Sequence, residues 1–334
     1  MNTSPTTFVF LSSVEARLRH VLALPDAERD ADPLVASARH LVLAGGKRAR
    51  PWLVHALGAV VDAPEDGLLD IAVCSELIHA ASLLHDDVID EGHERRGRPT
   101  ANVLWGNLTA VLGGDLLLTI ALQQLRGRAP GLTADAVDVV AIMTRASLLE
   151  AALRGRVDVT PEQWRAMAVG KTAELFGFCG RAAAMLVGSE VDADRFQRAC
   201  RHLGVAFQLA NDLDDLYGRT PGKDPLADVA NQNPCYPLLV AMTRSEAARR
   251  VIETAWASGN PARDALLIQR AVSECGAALQ TWDAIRAEVA AAEAALGPHA
   301  AHPATAPVLA WAHRLWQQAE PPRAAEGEAP CAGT

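Results

Sequence analysis

The sequence predicts an all-α fold, and two observations carry that expectation. Apolar residues recur at helical rather than alternating spacing along almost the whole chain. Aromatic residues make up only 4% and alanine is abundant, so β-branched and aromatic residues are too few for a sheet protein. With 334 residues, 50% of them hydrophobic, the chain has ample material for a core.

The helical runs fall, in order, at 69–90, 108–125, 134–153, 171–187, 195–217, 236–257 and 263–296. Gly, Pro or Asn turn chemistry separates them at Gly45-Gly46, at "EGHERRGRP" (91–99), "RAPG" (128–131), "VTPE" (159–162), "RTPGKDP" (219–225) and "NQNP" (231–234). None of these breaks reads as an interdomain linker, so residues 13–319 are expected to form a single domain. Residues 1–12 are expected to be flexible, and the Pro, Ala and Glu rich tail 320–334 to be disordered.

Forty acidic against thirty-one basic residues give a net charge of −9, which disfavours non-specific binding to nucleic acid or to an anionic membrane. A polyanionic substrate would therefore need a local basic patch or bound cations. The six cysteines (Cys74, Cys179, Cys200, Cys235, Cys275, Cys331) are scattered without metal-ligand spacing and read as small buried hydrophobes in a reducing compartment. The first twenty residues lack the pattern of a secretory signal, and no run reaches 18 uninterrupted apolar residues. A cytoplasmic protein without stable membrane insertion is expected.

The stretch "ELIHAASLLHDDVIDEGHERRGRPTAN" (76–102) begins as an amphipathic helix and ends in acid followed by base. Asp86 and Asp90 are four residues apart and share a helix face, with Asp87 one step round. Carboxylates stacked in that way repel one another unless a cation lies between them. Two oxygen ligands from one helix suit Mg²⁺, which keeps waters and also binds substrate phosphates. Arg95 and Arg96 follow, with forked donors that match phosphate oxygens. A solvated helix end is the alternative reading, but the helix ahead of the acids is apolar on nearly every face. In "LVLAGGKRARPWLVHAL" (41–57), Lys47, Arg48 and Arg50 stand before a helix opened by Pro51, where exposed N–H groups and the helix dipole favour an anion.

The chain resembles the trans-isoprenyl diphosphate synthases, the head-to-tail prenyltransferase family. The resemblance rests on "GGKRARP" (45–51), "ELIHAASLLHDDVIDEGHERRGRPT" (76–100), "GGDLLL" (113–118), "KTAELF" (171–176) and "AFQLANDLDDLYG" (206–218), all in family order. It implies a bundle of many antiparallel helices around a deep apolar cavity, the isoprenoid synthase type, assembled as a homodimer. It also implies Mg²⁺ held between two Asp-rich motifs, with Asp86, Asp87 and Asp90 in the first. The substrates implied are isopentenyl diphosphate, at Lys47, Arg50, His79 and Arg96, and an allylic prenyl diphosphate, at Arg95, Lys171 and Lys223. Thr172 and Gln208 would stand beside the allylic cation. Such chemistry needs no covalent nucleophile, because neutralising the developing charge on diphosphate is the main catalytic device.

The chain departs from that pattern at three places. The second motif reads Asn211-Asp212-Leu213-Asp214-Asp215 where the family has DDxxD. Helical spacing puts Asn211, Asp212 and Asp215 on the expected metal face, and leaves Asp214 out. The amide can offer a carbonyl oxygen to Mg²⁺ but no charge, and unit charges about 4 Å apart interact by roughly 4 kcal/mol at an effective dielectric of 20. Gln232-Asn233 and Cys235 replace a Gly-Lys and a Thr, so a second phosphate-binding Lys is missing. Arg156 follows Gly155 where Gln is common, another charge expected near the cavity. These departures keep two other readings open, a class I terpene synthase-like cyclase and a regulatory subunit of a heteromeric synthase. The intact "DDVIDEG" and "GGKRARP" favour the prenyltransferase.

Product length in this family is set below the first Asp-rich motif, where bulky residues four and five positions earlier form a floor. Here those are Ser82 and Ala81, so a product of C20 or longer is expected. Ile78, Leu118 or a side chain of a second subunit are the groups that could close the cavity instead.

Overall fold

The computed structural model describes residues 4–23, 32–129, 131–219, 226–258 and 260–322. Lys223 and residues 323–334 lie outside the described residues. The helices are α1 (Pro5–Val21), α2 (Pro33–Val42), α3 (Ala49–Gly58), α4 (Glu65–Ile89), α5 (Ala101–Gln124), α6 (Leu132–Leu153), α7 (Pro161–Ala168), α8 (Glu174–Met185), α9 (Glu190–Leu216), α10 (Ala227–Ala230), α11 (Tyr236–Arg244), α12 (Glu246–Ala257), α13 (Ala265–Glu274), α14 (Ala277–Leu296) and α15 (Ala306–Gln318). Among the described residues the only strands are β1 (Glu94–Arg95) and β2 (Arg98–Pro99), a hairpin that turns the basic stretch after α4 back on itself.

Local chemistry accounts for many of the helix starts. Ser4, Asp32, Thr160, Ser189 and Ser245 each accept a backbone N–H in the first turn, and Pro opens α1, α2 and α7. Three expected runs are divided. The 236–257 run breaks where Ser245 turns extended (φ −141°) to cap α12, and 263–296 breaks at Gly276 with φ 75°. Residues 169–173 form a π-helical turn ahead of α8. Residues 5–12, expected to be flexible, instead form the first turns of α1, because Phe10, at 1% exposure, anchors them in the core.

The core runs through α4, which packs on α5, α3 and α8, and through α9, which packs on α8 and α14. The close approach of α5 to α4 explains the "GGDLLL" signature: a Cβ at Gly114 would collide with the His85 ring. Likewise a side chain at Gly204 of α9 would strike the backbone of Ala173, so the π-helical turn lies directly on α9. Both α4 and α5 are long and apolar enough to cross a membrane by length and composition, but α4 is a core helix while α5 leaves Leu104, Leu108 and Leu112 exposed.

Candidate active site

The last turn of α4 carries the first acidic motif to the mouth of an apolar cavity. Asp86 lies 3.6 Å from the Lys171 ammonium, which is also paired with Glu150 of α6. Burial pushes the Asp86 carboxyl up while Lys171 pulls it down. For Lys171, burial opposes its charge, but Asp86 and Glu150 outweigh burial and raise its pKa. Asp90, the C-cap of α4, accepts from Arg154 at 2.6 Å. Each of the two stacked carboxylates thus already faces a cation.

Asp87 is 4% exposed and takes both Nε and Nη2 of Arg95, at 2.8 and 2.7 Å. That buried fork sets a guanidinium against the Asp87 charge, as Lys171 and Arg154 do for Asp86 and Asp90. Arg95 uses two of its five donors there and keeps others for an anion.

The second motif is arranged differently from the expectation. Asp212 accepts from Gln208 on one oxygen, at 3.0 Å, and on the other from Trp164 Nε1 at 3.2 Å and the Tyr236 N–H at 2.9 Å. Burial and then the Asp228 carboxylate push the Asp212 carboxyl well above the ordinary range, and those donors work against the shift. Asp215 accepts the Ala227 N–H at 3.2 Å and the Asp228 N–H at 2.9 Å, one on each oxygen, and so caps the short α10. Asp212 and Asp215 therefore tie the loops after α9 to the helix that carries the second motif. Helical spacing set their face; it could not show the donors that arrive from α7, α10 and α11. Asn211 stays half-exposed, and Asp214 is half-buried with the charges of Arg219 and Lys47 nearby.

The basic turn divides into a structural and a binding part. Arg48 is buried and bonded to Glu15 at 2.6 Å, Glu76 at 2.7 Å and the Val42 carbonyl at 2.9 Å. Arg50 is also buried, 5.0 Å from the centre of the Phe176 ring, and its Nε has no hydrogen-bond partner. Arg96 folds back to the Gly45 carbonyl. Burial, together with Arg50, Arg96, Arg95 and Arg48, holds the His79 ring well below the usual imidazole pKa, so it is neutral. Arg50, His79 and Arg96 are thus gathered as expected, and Lys47 is exposed beside them in the chain. Four guanidinium groups around a neutral ring, those of Arg50, Arg96, Arg95 and Arg48, favour an anion of several charges.

Thr172, in the π-helical turn, donates to Gln208 at 3.0 Å, and Gln208 donates on to Asp212. This chain fixes the orientation of both candidate residues. π-Helical turns of this kind are frequent at functional sites.

Below the mouth lies a cavity of about 590 Å³ between α4, α5 and α6, walled by Ile78, Ser82, Leu118, Val140 and Met143 among others. Ser82 lines it as expected, but Ala81 does not: at 1% exposure it faces the core, one helical step away from the Asp86 face. Ile78, two turns below Asp86, replaces it as the lower wall.

Two side chains that pair with charges of the site were not singled out from the sequence, Glu150 with Lys171 and Arg154 with Asp90. Arg156, expected as another charge near the cavity, instead forks onto Asp158 at the surface (2.9 and 2.7 Å) and is not among the residues that wall the cavity. The signal available was periodic: Glu150 and Arg154 are four residues apart at the end of an apolar helix, the same spacing as Asp86 and Asp90.

Among the described residues no three His, Cys, Asp or Glu side chains converge as a metal cluster. The donors that fit Mg²⁺ are the hard carboxylate oxygens of Asp86 and Asp90, one turn apart on α4 and each facing a cation. Such a set leaves most positions to water and phosphate, as Mg²⁺ prefers.

Similarity to known proteins agrees with this geometry. The profile of a family described as polyprenyl synthetase matches residues 32–274. The chain is 34% identical over 243 residues to a nonaprenyl diphosphate synthase of Mycobacterium tuberculosis, covering 71% of this chain and 72% of that one. It is 33% identical over 257 residues to an octaprenyl diphosphate synthase of Escherichia coli, covering 75% and 78%. In structure it is similar to a decaprenyl diphosphate synthase from Rhodobacter capsulatus, with a TM-score of 0.84 and 27% identity over 95% of this chain and 98% of that one.

Proposed function

The chain belongs to the polyprenyl synthetase family, and on that premise we propose that its charged mouth joins isopentenyl diphosphate to an allylic diphosphate while the cavity receives the growing chain. It is a transferase, and its product is a trans-prenyl diphosphate of C20 or longer. The observation that carries the reading is that Asp86, paired with Lys171 and one turn from Asp90, lines an apolar cavity of about 590 Å³, while the same helix carries His79 among the guanidinium groups of Arg50 and Arg96.

The residues divide the work between the two substrates. Arg50, Arg96 and neutral His79, with exposed Lys47, hold the isopentenyl diphosphate, and the unpartnered Arg50 Nε is a donor waiting for an oxygen. Lys171 and Arg95 face the allylic diphosphate. Mg²⁺ at Asp86 and Asp90 would neutralise charge on the leaving diphosphate. As the allylic carbon–oxygen bond breaks, the isopentenyl double bond attacks the cation, a carbon–carbon bond forms, and a proton is lost. Thr172 and Gln208, fixed by their hydrogen bonds, present oxygen dipoles near the place where positive charge develops.

Incubation with Mg²⁺, isopentenyl diphosphate and each allylic primer, followed by product sizing, tests the reading. Chains of C20 or longer are expected, and C10 or C15 alone would refute the length assignment. A cyclic hydrocarbon made without isopentenyl diphosphate would instead identify a cyclase. Turnover only with a second protein present would identify a subunit of a heteromeric enzyme.

Ser82 lies one helical turn, about 6 Å, below Asp86 and lines the cavity. Ser82→Phe should shorten the product by at least one isoprene unit while turnover on short primers persists; an unchanged product distribution would move the floor elsewhere.

We assign the uncovered face of α5 to a homodimer. Leu108 is 74% exposed and Leu112 continues its apolar stripe at i+4, while Leu104 is exposed ahead of the kink at Gly106. Leu148 of α6, at 74%, lines the open side of the cavity, so a second copy would also close that wall. Light scattering should give a dimer for the native chain and a monomer for Leu108→Glu.

A further inference from the structure

Arg154 joins the first acidic motif to the loops that follow α9. Arg154 is the residue after the last turn of α6, extended at φ −60° and ψ 133°. Its Nη2 donates to Asp90 at 2.6 Å and its Nε to the Asn233 side-chain carbonyl at 3.0 Å. The Asn233 amide in turn donates to Asp228 at 3.0 Å, and the Asp228 N–H donates to Asp215 at 2.9 Å. A backbone bond from Gly155 N–H to the Gln232 carbonyl, at 2.9 Å, ties the two loops together. The first acidic motif is thereby joined to the loops after α9 through a single guanidinium.

On the far side of the mouth, positions 211 and 233 are neutral amides, and both oxygens of Asp212 and of Asp215 are occupied by protein donors. Among the described residues, Arg154 is the cation bonded to this network. Two of its five N–H groups are used, three remain, and 29% of the side chain is exposed at the mouth. Asn233 holds the Nε edge, so the remaining donors keep the planar fork that suits phosphate oxygens.

We propose that Arg154 is a diphosphate-binding residue of this chain, contacting the diphosphate of the allylic substrate, and that Asn233 is its positioning residue. The inference rests on the prenyl transfer reading above, but it concerns an anion and can be tested without turnover. The binding sequence is an exchange of partners: the guanidinium leaves Asp90 for the diphosphate, and Asp90 becomes available to a metal.

Calorimetric titration of the full chain with inorganic diphosphate in Mg²⁺, beside steady-state kinetics for both substrates, tests this. Arg154→Gln should weaken inorganic diphosphate by about tenfold or more and raise KM for the allylic substrate by a similar factor, with KM for isopentenyl diphosphate within about twofold. Asn233→Lys in the Arg154→Gln background should recover most of the loss, because an ammonium at 233 reaches the same space. Affinity for diphosphate within twofold of native, with only the melting temperature lowered, would show a structural tie between loops and overturn the proposal. Failure of the Lys to rescue a folded double variant would overturn the placement of the charge. Should Arg154→Gln not fold, Arg154→Lys, which keeps the charge and loses the fork, must still weaken diphosphate several-fold. A native protein that binds diphosphate but forms no prenyl product would refute the transfer reaction and leave the Arg154 result standing.

Discussion

Asp86→Ala should reduce turnover by at least about a hundredfold, the usual cost of removing one electrostatic catalytic contact. The carboxylate is 13% exposed at the end of α4 and meets the Lys171 ammonium at 3.6 Å. Its loss leaves no buried orphan charge, since Lys171 keeps its pairing with Glu150. The folded structure should therefore survive, and circular dichroism should match the native chain while product formation collapses. Raising Mg²⁺ should recover little of that activity, because the missing oxygen belongs to the binding site itself. Near-native turnover at ordinary Mg²⁺ would remove Asp86 from the metal assignment. Asp214→Ala, by contrast, should change turnover by less than about threefold, since that half-buried side chain feels the charges of Arg219 and Lys47 and helical spacing turns it off the face shared by Asn211, Asp212 and Asp215.

Arg48→Met should be the most damaging single change to stability, by about 3–5 kcal/mol. The guanidinium is 9% exposed and links α1 through Glu15, α4 through Glu76 and the end of α2 through the Val42 carbonyl. Methionine can fill the stem of the side chain but leaves the Glu76 carboxylate, 5% exposed, without its main partner. Arg48→Met combined with Glu76→Gln should recover part of the loss, because the buried charge is then absent. Denaturant unfolding of the three proteins measures this. A single variant within 1 kcal/mol of native would show that the ion triad contributes little to the fold. The same network holds the basic turn beside His79, so the substrate-binding arginines depend on a residue that need not touch substrate.

The all-α architecture was legible because 3.6-residue periodicity is a local property and survives without knowledge of neighbours. The first acidic motif was legible for the same reason: Asp86 and Asp90 are one turn apart, and Asp86 lines the cavity while each of the two faces a cation. The Arg50, His79 and Arg96 cluster was reached through ordered motifs, and tertiary packing of α3, α4 and the hairpin after it brought those residues together.

Periodicity specifies which way a side chain points and is silent about what meets it. Asp87 and Arg95 are eight residues apart and pair only because the β1–β2 hairpin folds back on α4. Asp212 and Asp215 occupy the predicted face of α9, but donors from Trp164, Tyr236, Ala227 and Asp228, up to 48 residues distant, claim their oxygens. Arg154 and Asn233, 79 residues apart, form a charge bridge that no local pattern announces. The sequence by itself therefore determined the helices, the apolar interior and the acidic turn that faces it. Only the tertiary structure decided which charges remain available to a ligand, because compensation of a charge depends on groups that approach through space from distant parts of the chain.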